Sequence, residues 1–215
     1  MMNIIRALTC SLSWALVFSQ AVASEEPAWS LEVLIGDAFN FDSRTHIRYD
    51  QSAPLDLDGD YETRGLEAPL HYTVRLAHWD QDRAWELQVL HHKLYLRNRP
   101  PAVDALSVSH GFNIVTLNRA YALDRWRLRV GLGPVVAHPE ARVGGTSYDG
   151  PYELAGVAGL GGIGTGLAIT PHLSIVGEIT ATFGYIEAHP QGSPDLSFSI
   201  RNPAIHAQLG IGFRF

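Results

Sequence analysis

The chain has 215 residues, 46% hydrophobic and 18% charged, with 20 glycines, 12 prolines, a mean hydropathy of zero and a formal net charge of -6. Ample apolar content and low charge exclude a disordered chain. After the N-terminal segment no apolar run reaches about 18 residues, which excludes a helical membrane protein. The acidic balance leaves no basic footprint for nucleic acid.

The N-terminus reads as a cleavable export signal over residues 1–23. Arg6 supplies the positive start, residues 7–18 the apolar stretch, and Ala21-Val22-Ala23 the small-residue cleavage site. The stretch is too short for the roughly 20 residues that span a bilayer. The one cysteine, Cys10, falls inside the signal, so the exported chain has no disulfide to stabilise it. Residues 24–215 read as a single domain.

Beyond the signal the hydropathy pattern has period two, the signature of β-strands. In chain order the predicted strands cover about 29–41, 66–79, 84–95, 107–122, 126–138, 152–170, 173–187 and 203–215. Residues Trp85, Leu87 and Val89 alternate with Glu86 and Gln88. Trp126, Leu128, Val130 and Leu132 alternate with Arg127, Arg129, Gly131 and Gly133. The last strand places Ile205, Ala207, Leu209, Ile211, Phe213 and Phe215 on one face. Many of these strands exceed ten residues, whereas globular strands have about five or six. A tilted strand crossing a membrane needs about 9–11.

The connections alternate in length. Turns at 80–83, 123–125 and 170–172 are tight, while 42–65, 96–106, 139–151 and 188–202 are long. That alternation predicts an all-β, eight-stranded antiparallel up-and-down transmembrane β-barrel, with short turns inside the cell envelope and long loops outside. Closure would satisfy every backbone group without an exposed edge. The predicted interior carries Glu86, Arg127, Arg129, Glu178, His206 and Arg214, charges of both signs that suit the narrow bore of eight strands. The glycines between 156 and 166 would give it room. Trp29, Trp79, Trp85, Trp126, Tyr185, Phe213 and Phe215 sit near strand ends, where aromatic girdles belong. The alternative is an exported soluble barrel of the lipocalin kind, with the faces inverted.

The ending Leu209-Gly210-Ile211-Gly212-Phe213-Arg214-Phe215 resembles the C-terminal signal of bacterial outer-membrane proteins, and the architecture resembles their small eight-stranded barrels. The resemblance implies location in the outer membrane, insertion by the barrel-assembly machinery, and contact with lipid and lipopolysaccharide.

Histidines carry the candidate chemistry. His71, His91, His92, His110, His138 and His189 fall near the external ends of the predicted strands, where imidazoles from separate strands would ligate a divalent metal or serve as acid and base. The competing reading is interfacial histidine bonded only to water, loops or headgroups. The segments His91-His92-Lys93-Leu94-Tyr95, Ser109-His110-Gly111-Phe112-Asn113 with Asn118, and Gly131-Leu132-Gly133-Pro134 leading to His138-Pro139-Glu140 resemble the lipid A oxidase-like group over roughly 85–145. That resemblance implies oxygen-dependent oxidation of the proximal glucosamine of lipid A to an aminogluconate. It points to His92, His110, His138 and Glu140 as catalytic and to Lys93 and Asn113 as binding residues. The first three histidines are the expected metal ligands, since oxidation with dioxygen commonly requires a metal or organic cofactor. Lys93, Arg97 and Arg99 would hold lipid A phosphates, or simply form a basic rim.

A deacylase of the kind that uses serine, histidine and an acidic residue would draw on Ser109, His110 and Glu140. Adjacent strand residues point to opposite faces, which argues against a Ser109–His110 pair. The acidic run Asp56-Leu57-Asp58-Gly59-Asp60 resembles part of a calcium loop but reads as a solvated loop segment. A non-catalytic structural or adhesive barrel and a narrow pore are the remaining readings.

Overall fold

Alternation becomes a closed ring in the computed structural model, which describes residues 28–49, 53–190 and 196–215. The expected signal, with Arg6 and Cys10, lies outside the described residues. Thirteen strands follow in order: β1 (Ala28–Asn40), β2 (Ser43–Arg48), β3 (Leu55–Gly59), β4 (Tyr61–Glu62), β5 (Tyr72–Asp80), β6 (Arg83–Leu96), β7 (Val103–Leu123), β8 (Trp126–Ala137), β9 (Glu140–Val143), β10 (Thr146–Asp149), β11 (Glu153–Ala168), β12 (Leu173–Ala188) and β13 (Ser197–Arg214). Eight of them close an antiparallel ring in the order β1, β5, β6, β7, β8, β11, β12, β13 and back to β1. At the seam Val33 faces Ile211 and Ile35 faces Leu209, and Trp29 and Phe215 exchange two backbone hydrogen bonds of 2.9 Å. The remaining short strands prolong the ring upward: β2 pairs with β13, β9 with β7, and β4 with β6.

The faces sort as a bilayer requires. Val33, Leu87, Leu117, Val130, Ile179 and Leu209 are exposed on the outside. The charges lie inside. Arg75 donates to Glu32 at 2.5 Å, Glu178 at 2.6 Å and Gln88 at 2.9 Å. Arg129 joins Glu86 at 3.0 Å and also bonds Glu178, while Arg127 meets Glu32 at 2.6 Å. Three guanidinium groups and three carboxylates thus cross the lumen and neutralise one another where neither sign is stable alone. Glycines make the space: a Cβ on Gly162 would lie 3.1 Å from Arg129 Cγ, and one on Gly164 3.3 Å from Glu178 Oε2. Arg75, Glu86, Arg129 and Glu178 are buried within this plug, against the pore reading.

Nearer the external end the interior turns apolar. Leu94, Phe112, Ile114, Val135, Ile186, Phe198 and Ile200 form one buried cluster with Ile47 and Tyr61 from the prolonged wall. The Asp56–Asp60 run forms β3 and its turn, with Asp56 Oδ1 2.8 Å from His46 Nδ1, so it is an extended edge rather than a calcium loop.

The predicted strand limits shift at three places. The second ring strand begins at Tyr72 rather than 66, because residues 64–71 fold against the outer wall: Lys93 Nζ donates to the carbonyls of Arg64 and Glu67 at 2.6 and 2.8 Å. The fourth begins at Val103 because its first residues pair with β9. The last begins at Ser197, ahead of Pro203, because its start pairs with β2.

Candidate active site on the outer wall

Side chains of β6 alternate strictly. Leu90, His92, Leu94 and Leu96 point inward and are buried; His91, Lys93 and Tyr95 belong to the outward row that begins with Leu87 and Val89. The neighbouring β7 does not keep this rhythm. His92 pairs with Phe112 and Leu94 with Val108, so Lys93 alone stands opposite Ser109, His110 and Gly111. On the other flank Phe112 pairs with Ala137 and Ser107 with Glu140, leaving His138 and Pro139 between. The result is a bulge on both sides of β7.

The bulge builds the site. Val108 and Phe112 both face the core, so strict alternation would send His110 inward as well; instead its side chain is exposed. Gly111 permits this with φ +154°, and a Cβ there would lie 2.0 Å from Asn113 Nδ2. His110, His138 and Glu140 each bring one ligand atom to within 4.8 Å of the others. His110 Nδ1 lies 3.2 Å from Glu140 Oε1, and the two histidine rings are 5.5 Å apart. Ser107 Oγ donates to Glu140 Oε2 at 3.2 Å, and Ser109 Oγ also bonds that carboxylate. Tyr152 Oη donates to the carbonyl of His110 at 2.8 Å and its ring lies 4.9 Å from that of His138.

The expected ligand set therefore divides. His110 and His138 converge, joined by Glu140, but His92 does not reach them. It points into the barrel, toward His71 and His206. The argument against a Ser109–His110 pair also fails, because the bulge breaks the alternation on which it rests: Ser109 Oγ is 3.2 Å from His110 Nδ1.

The expected binding residues scatter. Asn113 lies on the outer row below the cluster, its Oδ1 2.8 Å from His91 Nδ1, and His91 stacks on Tyr72. The Lys93 ammonium is buried and capped by the two loop carbonyls, so it does not face an incoming phosphate. Arg97 lies 3.7 Å from Asp60, and Arg99 bonds the Asp104 carbonyl, both in the turn above. Two other cations flank the site instead. Arg142 is exposed on the same face of β9 as Glu140, and Arg64 lies over the Tyr95 ring at 4.5 Å. Neither was singled out from the sequence. Period-two counting from Glu140 would have found Arg142; Arg64 depends on the fold of its loop.

No protein-family model matches the chain, and no curated protein matches it in sequence. Solved structures do. Outer membrane protein AlkL, determined by solid-state NMR in DMPC bilayers, is similar at 13% identity and a TM-score of 0.54, covering 100% of this chain and 97% of that one. Ail, the attachment invasion locus protein of Yersinia pestis, is similar at 12% identity and a TM-score of 0.40 over 88% of this chain and 97% of its own. The fold is that of a small outer-membrane β-barrel. At these identities the likeness extends to architecture and not to chemistry. The exposed apolar belt and ion-paired interior independently require the orientation of a bilayer-spanning barrel rather than that of a soluble one.

Proposed function

We propose that this outer-membrane barrel oxidises lipid A at its outer wall, with His110, His138 and Glu140 as the reaction centre. The observation that carries the reading is the donor set. Two imidazoles and one carboxylate with ligand atoms within 4.8 Å of one another supply the ligand types of non-heme iron oxygenases. His138 Nδ1, buried without a hydrogen-bond partner among the described residues, leaves a nitrogen for such an ion. A metal held there would supply dioxygen activation.

The chain's own residues bind and orient. The cluster sits just beyond the exposed apolar belt, at the level of outer-leaflet headgroups, with Leu132, Leu154 and Val157 exposed below to meet acyl chains. Arg142 flanks it as a partner for phosphate, beside Arg64, whose guanidinium is ion-paired with Glu62. Ser107 and Ser109 hold the Glu140 carboxylate from one side. The lipid A oxidase-like resemblance over 85–145 supplies the substrate carbon: C1 of a proximal glucosamine with a free anomeric hydroxyl loses two electrons and two protons to dioxygen, giving a lactone and hydrogen peroxide, and water opens the lactone to the aminogluconate, a net gain of one oxygen atom.

Deacylation is the second reading, favoured by the contact of Ser109 with His110 and Glu140. Its weakness is geometric. Serine and carboxylate both meet His110 Nδ1, so the imidazole does not bridge them as a relay would. Mass spectrometry of lipid A from cells with and without the gene, grown aerated and metal-replete, separates the readings. One added oxygen supports oxidation, loss of an acyl chain supports hydrolysis, and unchanged lipid A defeats both.

The bulge gives a further expectation. Gly111→Ala forces a strained backbone costing about 1–3 kcal/mol and displaces His110. A shift of about 1 Å lowers turnover on the order of 100-fold, while heat-modifiable gel migration stays that of a folded barrel. Undiminished lipid A conversion by this variant would show that His110's position is not set by Gly111.

A further inference from the structure

The histidines that the outer site leaves aside meet inside the barrel. His71 precedes β5, His92 lies on β6 and His206 on β13, and all three are buried. One ring nitrogen of each lies within 4.8 Å of the others. His71 and His206 are parallel with centroids 5.1 Å apart, and His92 stands edge-on to both.

Their outer partners set the protons. Asn40 Nδ2 donates to the Tyr61 carbonyl at 3.2 Å and to Thr63 Oγ1 at 2.9 Å. A carbonyl only accepts, so the amide orientation is settled and Asn40 Oδ1 faces His92 Nε2 at 2.9 Å. Nε2 of His92 must then carry the proton, and Nδ1 is left as a bare lone pair. That nitrogen is buried with no partner among the described residues, as is Nδ1 of His71. His206 Nε2 lies 2.8 Å from Thr182 Oγ1, and its Nδ1 faces His71 Nε2 at 3.3 Å. Buried ring nitrogens of the three residues thus lie together, with at most one proton between His71 Nε2 and His206 Nδ1. Among the described residues no carboxylate is hydrogen-bonded to these rings. The far nitrogens of His92 and His206 are held by an amide and a hydroxyl oxygen, as outer partners hold metal-ligating imidazoles, and unpartnered nitrogens are left over on His71 and His92.

We infer that His71, His92 and His206 form a second, buried metal site inside the barrel, for a d10 transition-metal ion, Zn(II) or Cu(I). Three neutral imidazoles suit either ion. Its consequence is structural. His71 N donates to the Gly65 carbonyl at 2.7 Å, so an ion tying His71 to β6 and β13 fastens the 64–71 segment that caps Lys93 and carries Arg64. The inference stands independently of whether the outer wall oxidises lipid A.

The test uses the folded protein in detergent with the outer cluster removed by His110→Ala and His138→Ala. It is loaded separately with Zn(II), and with Cu(I) under anaerobic reducing conditions, then freed of loose metal and assayed by elemental analysis. About one ion per chain is expected for one of the two, lost when His206→Ala is added. Thr182→Val, which removes only the outer partner, is expected to weaken binding about 10- to 100-fold. X-ray absorption of the loaded background protein should show three nitrogen neighbours at about 2.0 Å for zinc. Absence of retained metal, equal retention with His206→Ala, or an oxygen-dominated shell overturns the site. Where His206→Ala fails to fold, by loss of heat-modifiable migration, the Thr182→Val affinity and the absorption shell decide.

Discussion

Lipid A conversion is expected to collapse when His110 is replaced by Ala or Glu140 by Gln, with barrel assembly unchanged. Substituting an outer-shell partner of a metal ligand typically costs 10- to 100-fold, so removal of a ligand is expected to cost at least about 100-fold. Assembly is spared because both groups lie on the outer wall; His110 is exposed and Glu140 half-buried. Glu140→Gln is the sharper of the two. It keeps the shape and the hydrogen bond from Ser107 but removes the negative charge that a cation needs. Ser109→Ala then divides the chemistries: an oxidase retains most of its activity without that hydroxyl, and a serine hydrolase loses all of it. Quantitative mass spectrometry of lipid A, normalised to heat-modifiable barrel in the outer membrane, reads each outcome. Full conversion by Glu140→Gln would remove the carboxylate from the reaction centre and with it the two-histidine, one-carboxylate reading.

The largest effect on stability is expected from Arg75→Met. Its guanidinium is fully buried and holds Glu32 and Glu178, two carboxylates with little access to water. Removing one partner of a buried pair leaves the other charge uncompensated, at a cost of about 3–5 kcal/mol. By contrast, Arg97→Ala disrupts only an exposed pair with Asp60, worth about 1 kcal/mol or less. Equilibrium unfolding in urea from lipid vesicles measures both. A loss below about 1 kcal/mol for Arg75→Met would mean that water reaches the plug and screens its charges, reopening the pore reading.

Much of the ring was legible from the chain. Turns at Gln81-Asp82 and Asp124-Arg125 lie where the alternation breaks, and the predicted strands over 126–138 and 173–187 match β8 and β12 to within a residue at each end. The reason is physical: a strand with lipid on one side and a packed interior on the other must alternate, and alternation is visible residue by residue. The interior charges were legible for the same reason, although Glu32 and Arg75 complete a plug of which only Glu86, Arg127, Arg129 and Glu178 were singled out. The wall above the membrane was less legible. Where Ser197–Arg201 pairs with β2 and Val103–Ser107 with β9, the partners lie in segments that read as loops.

The site was legible by residue type but not by grouping. His92, His110 and His138 share a height in the sequence reading because height follows from position along a strand. Which way each side chain points follows from alternation only while register is kept. At Ser109–Gly111 one residue of β6 faces three of β7, and this shift brings Ser109 beside His110 and Glu140 and turns His110 outward. His92, on a strand that keeps its rhythm, stays inward. There it meets His206, from the far end of the chain, and His71, from a folded loop. The sequence alone therefore determined the strands, which follow from a local period of two, and favoured lipid on the apolar face through strand length, loop asymmetry and the terminal Phe215. Only the tertiary structure decided that the histidines gather in two clusters rather than one, because a bulge and a ring closure act between strands, beyond the reach of any local period.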